Sequence, residues 1–126
     1  MEEQKYSNIR VNYRVWLSTN DGAEILGDEE WQMLKIISDM GSLKAAADEM
    51  KISYRKAWGD MRNAEQKLGF LLIDKVRGGE QGGSTSLTEE GERLIKAYNQ
   101  LHTSFQGAVS EYIVEFKKSL KGKNQK

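Results

Sequence analysis

Between Ile9 and Leu17 every second residue is apolar: Ile9, Val11, Tyr13, Val15 and Leu17 share one face. Period-two alternation rich in β-branched and aromatic side chains predicts a strand over 9–18. TNDG at 19–22 reads as a turn, and AEIL at 23–26 as a short return strand. The period then changes. Trp31, Leu34, Ile37 and Met40 form a helical stripe that Asp28 would cap, Glu29 and Glu30 suit at its positive end, and Gly41 would stop. Ser42 is placed to cap a short helix over 43–50. Ser53 caps a longer one over 53–68, with Tyr54, Ala57, Trp58, Met61, Ala64 and Leu68 on its apolar face and Gly69 at its end.

FLLIDKV at 70–76 reads as a strand, RGGEQGGST as a glycine-rich loop, and TSL at 85–87 as the returning strand. Thr88 then caps a long helix with Glu89 and Glu90 in its first turn. Its apolar positions are Leu94, Tyr98, Leu101, Phe105, Ala108 and Tyr112, in steps of four and three, a coiled-coil-like seam. No proline interrupts it before about Ser119, and the basic tail 120–126 is expected to fray.

Two short helices meet at 50–53. The first carries Ala45, Ala46 and Ala47, which let a second helix approach closely, although an alanine run is also simply a good helix former. The second helix sets Arg55, Gly59, Arg62 and Gln66 opposite its apolar stripe, with Lys56 and Asn63 beside them. A tight turn between such helices, followed by a hairpin, is a winged helix-turn-helix. The fold class expected is mainly α with a small β component, an N-terminal strand or hairpin, and a long C-terminal dimerisation helix. One domain is expected, with the winged helix-turn-helix at 9–87 and the dimerisation helix at 88–119.

Net charge is zero, so bulk basicity points to no partner. The distribution is uneven, however. Residues 19–49 carry a net charge of −6 and residues 51–77 a net charge of +4. The cationic stretch starts where the second helix starts, and a local basic face is what phosphate binding requires. Taken alone, Arg55, Lys56 and Arg62 fit a solvated helix face. With a small-sided helix before them and a hairpin after, they point to the major groove, which admits one helix.

Catalytic chemistry finds little support. There is no cysteine, which excludes disulfides and thiolate sites. The single histidine, His102, lies on the long helix without a G-x-S-x-G or metal-ligand signature. The glycine loop lacks the G-K-[ST] ending of a phosphate-binding loop, so it reads as a wing tip. No enzyme activity, metal or cofactor is expected. No apolar run reaches the ~20 residues needed to span a membrane, and the polar N-terminus is not a signal peptide, so a cytoplasmic location is expected.

GSLKAAADEMKISYRKAW, a strand, and RGGEQGGSTSLTEEGERLI leading into a long helix resemble the N-terminal DNA-binding domain of the ModE family of molybdate-responsive transcription regulators. The resemblance covers roughly residues 9–115, with ISYRKAW and the doubled GG of the wing as its most specific pieces; LTEEG is also similar to LysR-type regulators. It implies a homodimer paired through the long helix, and a recognition helix whose start, Ser53, Tyr54, Arg55 and Lys56, faces double-stranded DNA. The sequence departs from full-length members in ending without the C-terminal oxyanion-sensing domains, so no molybdate binding is expected.

The expected function is therefore sequence-specific transcriptional regulation. Helix 53–68 reads the major groove and wing 77–85 contacts the backbone. The expected DNA-binding set is Ser42, Lys44, Ser53, Tyr54, Arg55, Lys56, Arg62, Arg77 and Gln81. The seam from Leu94 to Tyr112 is the expected dimer interface. The alternative is a winged helix that binds an acidic protein partner without reading DNA.

Overall fold

A computed structural model of the protein describes residues 5–76 and 84–122. The chain divides into two units. One is Val15–Tyr98; the other contains the residues up to Arg14 and those from Asn99 onward.

In the first unit, strand β1 (Leu17–Ser18) pairs antiparallel with β2 (Glu24–Leu26) across the predicted turn. The strand expected over 9–18 is thus cut to its last two residues. A strand needs a hydrogen-bonding neighbour, and the return segment is only three residues long before the next helix starts. Ile9, Val11 and Tyr13 stay exposed, whereas Val15 and Leu17 pack against the core.

Helix α1 (Asp28–Met40) is capped by Gly27, not by Asp28. The Glu30 carboxylate reaches back to accept from the Gly27 N–H at 2.8 Å, so it satisfies the backbone donor while Asp28 occupies the first turn. Met33, Leu34 and Ile37 are buried, and Met40, expected on the stripe, is 57% exposed. Gly41 ends the helix in the left-handed conformation (φ 69°). Helix α2 (Leu43–Met50) buries Leu43, Ala46 and Ala47. Helix α3 (Tyr54–Leu68) buries Ala57, Met61, Ala64 and Glu65. The two alanine-lined faces meet, so the small side chains of α2 serve close helix packing.

Strands β3 (Ile73–Val76) and β4 (Ser84–Leu87) form an antiparallel hairpin in the register Ile73 to Leu87 through Val76 to Ser84. It is fixed to the helices at two places. The Thr85 N–H donates to the Gly41 carbonyl at 3.0 Å, and Thr85 Oγ1 accepts from the Leu43 N–H at 3.2 Å. The Thr85 hydroxyl therefore satisfies a donor that the first turn of α2 leaves open.

Helix α4 (Glu89–Lys121) runs unbroken through Gly107. Thr88 anchors its start. Its hydroxyl accepts from the Gly91 N–H at 2.9 Å and donates to the Leu71 carbonyl at 2.7 Å, while its own N–H donates to the Leu72 carbonyl at 2.9 Å. Gly91 is required by this approach: a Cβ there would lie 2.3 Å from the Leu72 carbonyl oxygen. Tyr98 closes the core of the first unit, edge-on to Trp31 at 5.3 Å, and its hydroxyl donates to the Val15 carbonyl at 2.7 Å.

Candidate nucleic-acid interface

The turn between α2 and α3 is three residues long. Lys51 takes the left-handed conformation (φ 60°), and its N–H donates back to the end of α2. Ile52 follows, its N–H bonded to the Ala47 carbonyl at 3.0 Å and its side chain packed against the core. Ser53 then caps α3, accepting from the Lys56 N–H at 2.9 Å. Each step releases the chain from one helix and starts it into the next, with Ile52 partly buried against the core between them.

The first turn of α3 is left facing solvent. Tyr54 is 41% exposed and sits edge-on to Trp58 at 6.3 Å. Arg55 is exposed and has no ion-pair partner among the described residues. Lys56 is also exposed, but its Nζ lies 2.9 Å from Asp60 Oδ2. The hydrogen bond to Asp60 raises the lysine pKa first, that carboxylate's charge adds to it, and Glu29 and Glu30 contribute from α1. The carboxylates of Glu29, Glu30 and Asp60 lie within 4.8 Å of one another. Lys56 already supplies a counter-charge there.

Arg62 lies on the exposed side of α3, as the sequence pattern places it, with its side chain 51% exposed, but it is engaged within the helix. Its guanidinium packs 4.5 Å from the centre of the Trp58 ring and its Nη1 is 2.6 Å from Glu65 Oε1. Lys75 of β3 also lies over Trp58, at 5.5 Å. Glu65 is the residue that sequence reasoning missed. Its second oxygen accepts from the Leu72 and Ile73 N–H groups at 2.8 and 3.1 Å, and the residue is 5% exposed. The signal was present: Glu65 falls on the helical stripe between Met61 and Leu68, an acid in a core slot. An open cleft of about 320 Å³ borders this group, lined by Arg62, Glu65, Gln66, Gly69, Phe70 and Leu71.

Ser42 and Lys44 begin α2. The Ser42 hydroxyl is engaged as a cap, accepting from the Ala45 N–H at 3.0 Å, and Lys44 makes an exposed pair with Asp48 at 3.5 Å. Arg77 and Gln81 lie outside the described residues. The structure thus brings Ser53, Tyr54, Arg55 and Lys56 together on one helix end and commits Arg62 to Trp58 and Glu65 of the same helix.

The predicted seam on α4 divides. Tyr98 is 2% exposed within its own chain and Leu94 packs against the same core, so neither is a free interface residue. Tyr98 was predicted to face a partner because the step of four and three from Leu94 to Leu101 does not distinguish a partner's core from the chain's own. Beyond it, Leu101, Phe105 and Tyr112 are 40%, 45% and 69% exposed, and Ala108 is exposed as well. Val114 and Phe116 add to the apolar surface of this half of the helix.

Residues 29–92 match the family model described as bacterial regulatory helix-turn-helix protein, lysR family. The chain is 33% identical over 96 residues to the molybdenum transport protein ModE of Azotobacter vinelandii, covering 76% of this chain and 35% of that protein. Over 69 residues it is 36% identical to the DNA-binding transcriptional dual regulator ModE of Escherichia coli K12, covering 55% and 26% of the two chains. The chain spans about a third of the length of the first of these relatives. Among solved structures, the BenM DBD in complex with benA site 1 DNA superposes with a TM-score of 0.52 at 22% identity, covering 66% of this chain and 91% of that one. That likeness shows a winged-helix fold.

Proposed function

The chain belongs to the bacterial regulatory helix-turn-helix proteins of the lysR family, and from that premise we propose that it regulates transcription by binding double-stranded DNA through the start of α3. The observation that carries this reading is the exposed first turn after the Lys51–Ser53 turn. There Arg55 extends without an ion-pair partner among the described residues, at the helix end that meets base edges in helix-turn-helix proteins. Tyr54 and Lys56 flank it, and Ser53 and Ser42, whose hydroxyls accept from helix N–H groups, each keep a proton to donate to a phosphate. Lys44, Arg77 and Gln81 are assigned to backbone contact. The family and its relatives favour DNA over the alternative of an acidic protein partner.

The DNA-binding form is a homodimer paired through the outer half of α4, and it acts in the cytoplasm without catalytic activity. No helix among the described residues is long and apolar enough to cross a membrane. These 126 residues bind no molybdate or tungstate by themselves; calorimetry with either oxyanion is expected to show no heat of binding, and stoichiometric binding would place an oxyanion site within the winged helix.

Selection of binding sites from random duplexes, followed by anisotropy measurements over a range of salt, tests the DNA reading. A linear fall of log K with log salt, with a preferred sequence, is the expected result. Failure to bind any duplex at low salt, alongside binding to an acidic protein surface, overturns it.

A further inference from the structure

We propose that Glu65 is a positioning residue that fixes hairpin strand β3 to the recognition helix, and that Arg62 completes this joint instead of contacting DNA. Nothing in the helix-turn-helix itself demands an acid at position 65. The stripe of α3 needs an apolar side chain there, and a carboxylate that is 5% exposed carries a desolvation cost unless it is fully bonded. It is fully bonded. One oxygen accepts two backbone N–H groups, from Leu72 and Ile73, where the chain enters β3; the other accepts from Arg62. Without Glu65 these two N–H groups lose this acceptor where the chain enters β3.

The cationic side of the joint follows from the same geometry. Arg62 is held at once by Glu65 at 2.6 Å and by the Trp58 ring at 4.5 Å. Lys75, three residues after Leu72, lies over the same ring. One cation from the recognition helix and one from the hairpin thus share the Trp58 ring, and Glu65 joins the two elements beside it. A guanidinium held by a buried carboxylate is neutralised as a phosphate ligand. Arg62 stays about half exposed (51%), yet its guanidinium is committed to Glu65 and the Trp58 ring, so it supports the joint and does not serve as a DNA contact.

This inference rests on the DNA-binding reading, and its test separates the two. Arg62→Met keeps an unbranched stem over Trp58 and drops the charge. In that background, Glu65→Gln keeps an oxygen that accepts from Leu72 and Ile73, and Glu65→Ala removes it. Both double variants are made in the full chain, with folding verified by circular dichroism. Hydrogen exchange is expected to leave the Leu72 and Ile73 amides as protected in the Gln variant as in wild type. In the Ala variant they exchange at least about tenfold faster, from the loss of two buried bonds, while the Ala57 and Met61 amides are unchanged. General destabilisation would accelerate all four.

On duplex DNA the Gln variant is expected to bind within about threefold of wild type and with an unchanged salt slope, whereas the Ala variant binds about tenfold more weakly. A slope lower by about 0.9 in the Gln variant means that Arg62 meets a phosphate, and it overturns the assignment. Equal affinities for the Gln and Ala variants, or equal exchange at Leu72 and Ile73, overturn the role of Glu65. Loss of duplex binding by wild type itself counts against the proposed function and leaves the exchange experiment to decide the joint.

Discussion

At the scale of single residues, neighbouring side chains of one type have different surroundings. Arg55 and Arg62 are both arginines on the polar side of α3, seven residues apart. One extends into solvent; the other is paired and stacked. Arg55→Ala is expected to cost about 1–3 kcal/mol on the selected site and to relax preference at one base position, as for a base contact. Anisotropy on the selected and scrambled duplexes measures it; an equal loss on both would make Arg55 a phosphate contact. Gly91 illustrates a constraint of space. With a Cβ placed 2.3 Å from the Leu72 carbonyl oxygen, Gly91→Ala has to displace backbone at the hairpin root. Urea unfolding should show a loss on the order of 1–3 kcal/mol, as for other overpacked sites. A stability equal to wild type would mean that the α4 start shifts freely.

At the scale of elements, the helix boundaries follow from local chemistry. Ser42, Ser53 and Thr88 each accept an N–H from the first turn that follows, and Gly41 and Gly69 close α1 and α3 in the left-handed conformation. Ser53 has a double position, ending the turn and opening the recognition helix. Ser53→Ala is expected to destabilise the fold by about 1 kcal/mol, and Ser53→Gly by only a few tenths. Thermal unfolding of the two variants tests the order. A larger loss for glycine would mean that the conformation of the turn, not the hydroxyl, is what residue 53 supplies. The first strand follows a different logic: its alternation is present in the sequence, yet β2 offers a partner only to Leu17 and Ser18.

At the scale of the whole molecule, the long helix raises the question of assembly. In the unit that includes residues from Asn99 onward, Leu101, Phe105, Tyr112, Val114 and Phe116 are all at least 40% exposed, as is Tyr13. Leu101, Phe105, Tyr112 and Phe116 fall at helical spacing on one side of α4, and an exposed apolar stripe of this kind is uncommon on monomers. A second copy would cover it isologously. Light scattering at tens of micromolar is expected to give the mass of a dimer. Leu101→Asp combined with Phe105→Asp should give a monomer that keeps its helical circular dichroism and loses most of its DNA affinity, because two half-sites are no longer bound together. A monomeric wild type would end this reading.

The sequence alone determined the helices, the caps of α2, α3 and α4 (though not the Gly27 cap of α1), the helix-turn-helix and the family it resembles. Those features depend on interactions within a few residues: stripe periodicity, a serine three residues before an N–H, a glycine after the last turn. It also marked the start of α3 as the cationic end. Tertiary structure decided what each candidate side chain meets. Tyr98 and Leu101 look alike along the chain, three residues apart on one seam, yet Tyr98 closes the core under Trp31 and Leu101 remains in solvent. The sequence puts Glu65 in a core slot of the α3 stripe, three residues after Arg62, but does not say what would bond a carboxylate there. Only the arrival of Leu72 and Ile73 beside α3 buries the carboxylate and turns the pair into a joint between helix and hairpin. The physical reason is the same in both cases: periodicity gives the face on which a residue lies, and burial depends on which distant segment comes to cover that face.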